Sequence, residues 1–133
     1  DRKMLVIRKE QIQHFIAEND DALVRLIRQI MRECCPGRVE NYSDKVLDGM
    51  IRLGMGKAKK HNFAKAETVV AYVTVMFEIA PNFDEQPPIK QVLEDNNYVE
   101  DDRFFQLWQR VDDKVWQEAE KGYDAKMWFP DKQ

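Results

Sequence analysis

Glycine and proline are sparse, five of each in 133 residues, which excludes a collagen-like or loop-rich chain. Cysteine is confined to the adjacent pair Cys34 and Cys35. Neighbouring cysteines rarely bridge, because the peptide between them cannot meet disulfide geometry without strain; two reduced thiols in a cytoplasmic protein are expected. Histidine occurs only at His14 and His61, with no second histidine or cysteine at ligand spacing, so neither a zinc site nor any other metal or cofactor is expected. No apolar run approaches the roughly 20 residues needed to span a bilayer. No signal peptide is expected either, since Leu5-Val6-Ile7 is followed at once by Arg8-Lys9-Glu10. The net charge of −3 gives no general attraction to nucleic acid or to anionic membranes.

What is present is the balance of a globular protein, 44% hydrophobic and 34% charged residues. A chain of this length fits one domain, burying about two thirds of the surface it exposes when unfolded. The patterning predicts an all-α fold, a single compact bundle of about five helices. Residues 1–8 form a short extended lead-in, 9–121 the helical body and 122–133 an aromatic tail.

A first helix is predicted from Lys9 to Asn19, with Ile12, Phe15 and Ile16 on one face. Asn19-Asp20-Asp21 supplies cap chemistry for a second. There Leu23, Leu26, Ile27, Ile30 and Met31 recur at helical spacing until Cys35-Pro36-Gly37 stops it. Ser43-Asp44 opens a third, whose stripe is Leu47, Met50, Ile51, Gly54 and Ala58; the two small residues permit close approach by another helix. After a connection at Asn62 to Lys65, Val69 to Ala80 is apolar nearly throughout. Its β-branched residues make it the one strand candidate, but its length and amphipathic neighbours favour a helix buried on almost all sides. Pro81 ends it. A helical turn is expected near Ile89 to Leu93 in an otherwise turn-rich acidic segment. A last long helix is expected from Asp101 to Lys121, with Phe104, Trp108, Val111 and Val115 on one face and Gly122 as its stop.

Chemistry-bearing motifs fail on inspection. Gly54-Met55-Gly56-Lys57 lacks both the glycine spacing and the Ser/Thr of a phosphate-binding loop. A nucleophile pair between Cys34 or Cys35 and His61 has no local support. Asp101, Asp102, Asp112, Asp113, Glu118 and Glu120 read as the polar face of one helix. A nucleic-acid-reading helix would have to be the apolar Val69 to Ala80 segment, which cannot face a groove. Enzymatic activity, a nucleic-acid partner and a membrane partner are therefore not expected.

Charge is segregated along the chain. From Arg52 to Lys65 stand five basic residues and no acidic one; from Asp84 to Asp102, seven acidic residues and one lysine. Such segregation predicts opposite patches that steer protein partners. The partner-binding candidates are Lys57, Lys59 and Lys60 on the basic side, and Glu94, Asp95, Glu100 and Asp101 on the acidic side. Trp128 and Phe129 in the tail either cap the core or, exposed, serve as aromatic anchors.

Two stretches carry a resemblance. Met4-Leu5-Val6-Ile7-Arg8-Lys9-Glu10-Gln11 resembles the opening of small accessory proteins encoded in bacterial type VI secretion effector clusters. Ala71-Tyr72-Val73-Thr74-Val75-Met76 followed by Pro81-Asn82-Phe83-Asp84 resembles the central signature of that group, which usually has Gly where this chain has Ala80. Lys57-Ala58-Lys59-Lys60-His61-Asn62-Phe63 fits its helix-to-helix connection. The likeness spans Met4 to Val115. It implies a cytoplasmic adaptor or co-chaperone that helps load an effector onto the secretion tip, with an effector, an effector adaptor or a toxin as partner, and brings no catalytic residues. An immunity protein that neutralises a toxin is the alternative, a nucleic-acid-binding helical protein the second; the oligomeric state is not fixed by any of these features.

Overall fold

The computed structural model describes residues 20–129; the expected lead-in, the first helix with His14, and Pro130 onward lie outside them. Within the described residues the fold is all-α, with no strand. Eight α-helical segments follow in order: α1 Asp20–Cys34, α2 Pro36–Val39, α3 Asp44–Lys60, α4 Ala66–Glu78, α5 Pro87–Leu93, α6 Glu100–Phe105, α7 Leu107–Arg110 and α8 Asp113–Lys121. Two 3-10 turns, Phe83–Glu85 and Ala125–Met127, complete them. The number exceeds the expected five because the acidic segment and the last helix are built from short pieces. None of these helices is long and apolar enough to cross a membrane.

The helix ends have local causes. Ser43 caps α3, its Oγ accepting the Val46 N–H at 3.2 Å. Pro36 and Pro87 stand in the first turns of α2 and α5, where a missing N–H costs nothing. Gly37, expected to turn the chain, instead lies inside α2. The left-handed position falls to Asn62, with φ 67° just after α3. Around it the Asn62 and Phe63 amides reach back to the Lys59 and Ala58 carbonyls at 2.9 and 3.2 Å, satisfying acceptors the helix end would otherwise orphan. The expected single helix from Asp101 to Lys121 breaks at Val111, whose backbone is extended (φ −108°, ψ 124°). Asp112 then starts α8, its carboxylate taking the Val115 N–H. A side chain able to cap is thus used as a cap, and the break lets Trp116 fold back to within 5.8 Å of Trp108 and 6.4 Å of Phe83.

α4 is the centre. Every residue from Thr68 to Phe77 is buried, as its uniform apolarity predicts, and the strand alternative is excluded. The polar Thr74 is reconciled with burial by donating its hydroxyl to the Val70 carbonyl at 2.7 Å. Leu47, Met50, Ile51, Gly54 and Ala58 of α3 face the core as expected. α1 lies against α3 through Leu23, Ile27, Ile30 and Met31. Ion pairs lace these two helices, Arg28–Asp48, Arg32–Asp44, Arg52–Asp21 and Lys59–Asp20 among them. Exposed pairs of this kind contribute about 0–1 kcal/mol each, so they set register more than stability.

Gly54 marks the closest approach of α3 and α4. A Cβ there would stand 3.0 Å from both Met76 Sδ and Val73 Cγ2, whereas Gly49 and Gly56 on the outer face have open space. Gly54→Val is expected to lower stability by about 1–3 kcal/mol through overpacking. Gly49→Ala or Gly56→Ala should raise it by roughly 0.5–1 kcal/mol through helix propensity. Urea unfolding of the three variants checks the contrast.

Candidate functional site

The most concentrated polar chemistry among the described residues gathers on Asp84, in the 3-10 turn after α4. Tyr72 of α4 donates its hydroxyl to Oδ2 at 2.9 Å. Lys57 of α3 donates to Oδ1 at 3.2 Å and to the Pro81 carbonyl at 2.9 Å. His61, at the end of α3, stands with Nε2 3.7 Å from Oδ2. An aromatic wall backs the cluster: the Tyr72 ring lies 5.0–6.1 Å from Phe83, His61, Phe104 and Phe63. Burial alone would raise the Asp84 carboxyl, but His61, Lys57 and Tyr72 outweigh it and hold the group down at about 2. Burial, reinforced by the neighbouring carboxylate, pushes the Tyr72 phenol well above its ordinary range. A carboxylate so fully engaged is a structural tie joining α3, α4 and the 3-10 turn.

This tie takes one member from each of the two charged stretches. Lys57 of the basic stretch is spent on Asp84 of the acidic stretch. Asp101 accepts the Lys65 and Ala64 amides at 3.1 and 3.4 Å, just ahead of α4. The two stretches thus meet each other across the fold. Of the remaining candidates, Lys59 pairs with Asp20 at 3.1 Å, and Lys60 and Glu94 are exposed. Asp95 takes Arg110 at 2.7 Å and the Asn97 amide at 2.9 Å; those two bonds, the amide first, lower its carboxyl. Glu100 opens α6.

Trp128 is a core residue. It is buried, stacked on Phe77 with ring centres 4.6 Å apart, and donates Nε1–H to the Tyr123 hydroxyl at 2.8 Å. Of the two readings open for it, capping the core is the one the packing supports, because an indole with a partner for its N–H loses nothing by burial. Phe129 is half-buried, its ring 6.4 Å from Tyr42. Tyr123, 42% exposed, is held at the same corner by the Trp128 N–H. The structure therefore assembles a surface aromatic cluster from Tyr42, Tyr123 and Phe129, of which the sequence pointed only to Phe129. Tyr42 and Tyr123 are 81 positions apart with no periodic signal linking them. A second exposed apolar pair, Tyr98 and Val99 (66% exposed), precedes α6.

At the far end of α1, a groove of about 520 Å³ is lined by Cys34, Cys35, Arg38, Glu78, Trp116 and Glu120, among others. Neither cysteine is in a disulfide. Burial, and then the Glu78 charge, push the Cys35 thiol up to about 11. No group of three or more His, Cys, Asp and Glu side chains is arranged to hold a metal ion among the described residues.

Comparison with protein-family models, curated proteins and solved structures returns no match to this chain.

The Asp84 tie has a measurable signature. Tyr72→Phe, which deletes one hydrogen bond to a charged acceptor, is expected to cost about 1.5–3 kcal/mol at neutral pH. Because the Asp84 carboxyl is depressed from 3.8 to about 2 in the folded protein, its stabilisation is complete above the unfolded value. It is lost as pH falls from about 4 through about 2. The stability gap between the native chain and Asp84→Asn should therefore narrow over that window. Urea midpoints measured from pH 7 down to pH 2 check it; a constant gap would contradict the assignment.

Proposed function

We propose that this chain is a non-enzymatic protein-binding accessory factor acting in the cytoplasm, an adaptor or co-chaperone that helps load a type VI secretion effector onto the tip complex. The observation that carries the binding reading is the aromatic cluster of Tyr42, Tyr123 and Phe129. Aromatic side chains dominate the energetics of protein interfaces, and with few rotatable bonds they lose little entropy on contact. The base of the cluster is already rigid, since Trp128 is stacked on Phe77 and bonded to Tyr123. A partner would not have to pay for ordering it.

The charged residues contribute in a narrower way than segregation implied. Lys60, Glu94 and Asp102 are exposed and available to a partner, while Lys57, Asp95 and Asp101 are committed to internal bonds. The secretion-system assignment rests on the likeness of the opening segment and of the Ala71–Met76 and Pro81–Asp84 segments to that accessory group. An immunity role would use the same kind of contact with a toxin.

Affinity capture from the native organism is expected to recover an effector, an effector adaptor or a spike component. Recovery should fall about 10-fold or more for Tyr42→Ala combined with Phe129→Ala, the loss typical of a removed interface anchor. Capturing none of these components would overturn the adaptor reading. Rescue of cells from a neighbouring toxin, with no secretion machinery present, would replace it with the immunity role.

A further inference from the structure

Cys34 closes α1, and Cys35 stands at the joint before α2 with a backbone outside the helical region (φ −133°, ψ 48°). On an unbroken helix consecutive side chains diverge by about 100°. The joint removes that constraint, and both cysteines line the groove of about 520 Å³ beneath Glu78 and Trp116. That volume lies within the range of small-molecule sites. After burial and the Glu78 charge, Cys34 adds to the upward push on Cys35. Cys34 and Cys35 are the sulfur donors in the groove's lining.

We propose that Cys34 and Cys35 form a chelating dithiol site for a thiophilic centre of the trivalent-arsenical class. The centre enters as an arsenoxide, R–As=O. Its arsenic–oxygen bonding is replaced by two As–S bonds, and the two thiol protons leave on the oxygen as one water molecule. Neither arsenic nor sulfur changes oxidation state. Once the first As–S bond has formed, the second is intramolecular, and such linkage strengthens binding by about 10²–10⁴. The closed ring ties the end of α1 to the start of α2.

The test is titration of the reduced protein with phenylarsine oxide. One phenylarsenic group per chain is expected by intact mass, with both thiols lost to a thiol-reactive dye. The adduct should resist excess 2-mercaptoethanol and be released by 2,3-dimercaptopropanol, since only a dithiol competes with a chelate. Cys34→Ser and Cys35→Ser should each bind at least about 100-fold more weakly, with adducts that a monothiol strips. Cys35 is buried; if Cys35→Ser does not fold, Cys34→Ser at the half-buried position carries the test. Two phenylarsenic groups per chain, removal from the native chain by monothiol, or undiminished affinity in Cys34→Ser would overturn the proposal. Equal affinity of the urea-unfolded chain would also overturn it, because the folded groove would then contribute nothing.

Discussion

A helix that is apolar on every face must be enclosed by other elements, and α4 imposes that demand on the whole fold. Thr68 to Phe77 present no polar side to water, so elements must approach from all directions. α3 comes closest by giving up a side chain at Gly54. α1 packs alongside, and α6 touches the N-terminal part of α4, with Asp101 holding the amides just ahead of it. Phe83 and Trp116 close another side through the 3-10 turn and α8, and Trp128 covers Phe77. The short helical pieces after α4 follow from this demand: a long straight helix covers one flank, whereas broken segments can wrap.

Wrapping a central helix leaves few places for polar atoms inside, and the protein handles this with one concentrated tie. Tyr72 is the largest fully buried side chain, and its hydroxyl needs an acceptor that burial has not made costly. Asp84 meets the requirement because Lys57 compensates its charge from the side facing α3, with the His61 ring alongside. A buried carboxylate with one partner would be a liability; with three it locks neighbouring elements in place. Tyr72 and Asp84 make this tie, and Phe83 belongs to the wall behind it.

How much of this was legible beforehand follows the range of each interaction. Stripes such as Leu47, Met50, Ile51, Gly54 and Ala58 are local periodic signals that mark α1 and α3, and the length and unbroken apolarity of Val69 to Ala80 mark α4. The capping hydroxyl of Ser43 marks the start of α3. The break at Val111 was missed because Asp112 reads equally well as a surface helix residue or as a cap; only the packing of Trp116 against Trp108 and Phe83 decides between them. Charge segregation gave no sign of which members bond inside the fold: Lys57 finds Asp84 27 positions away, and Asp101 finds the Lys65 amide 36 positions away. Contacts of that range carry no periodicity. Trp128 was ambiguous for the same reason: nothing near it announces Phe77.

The internal pairing of the charged stretches also sets how this protein meets others. A lysine and a carboxylate bonded to each other form a local dipole, whose field decays with distance much faster than that of a lone charge. With Lys57 closed on Asp84 and Arg110 on Asp95, these pairs add little to the field beyond a Debye length, about 8 Å at physiological ionic strength, and the long-range field is left to exposed charges such as Lys60, Glu94 and Asp102. What salt can screen on this surface is therefore the unpaired charge, and the closed pairs are nearly indifferent to it.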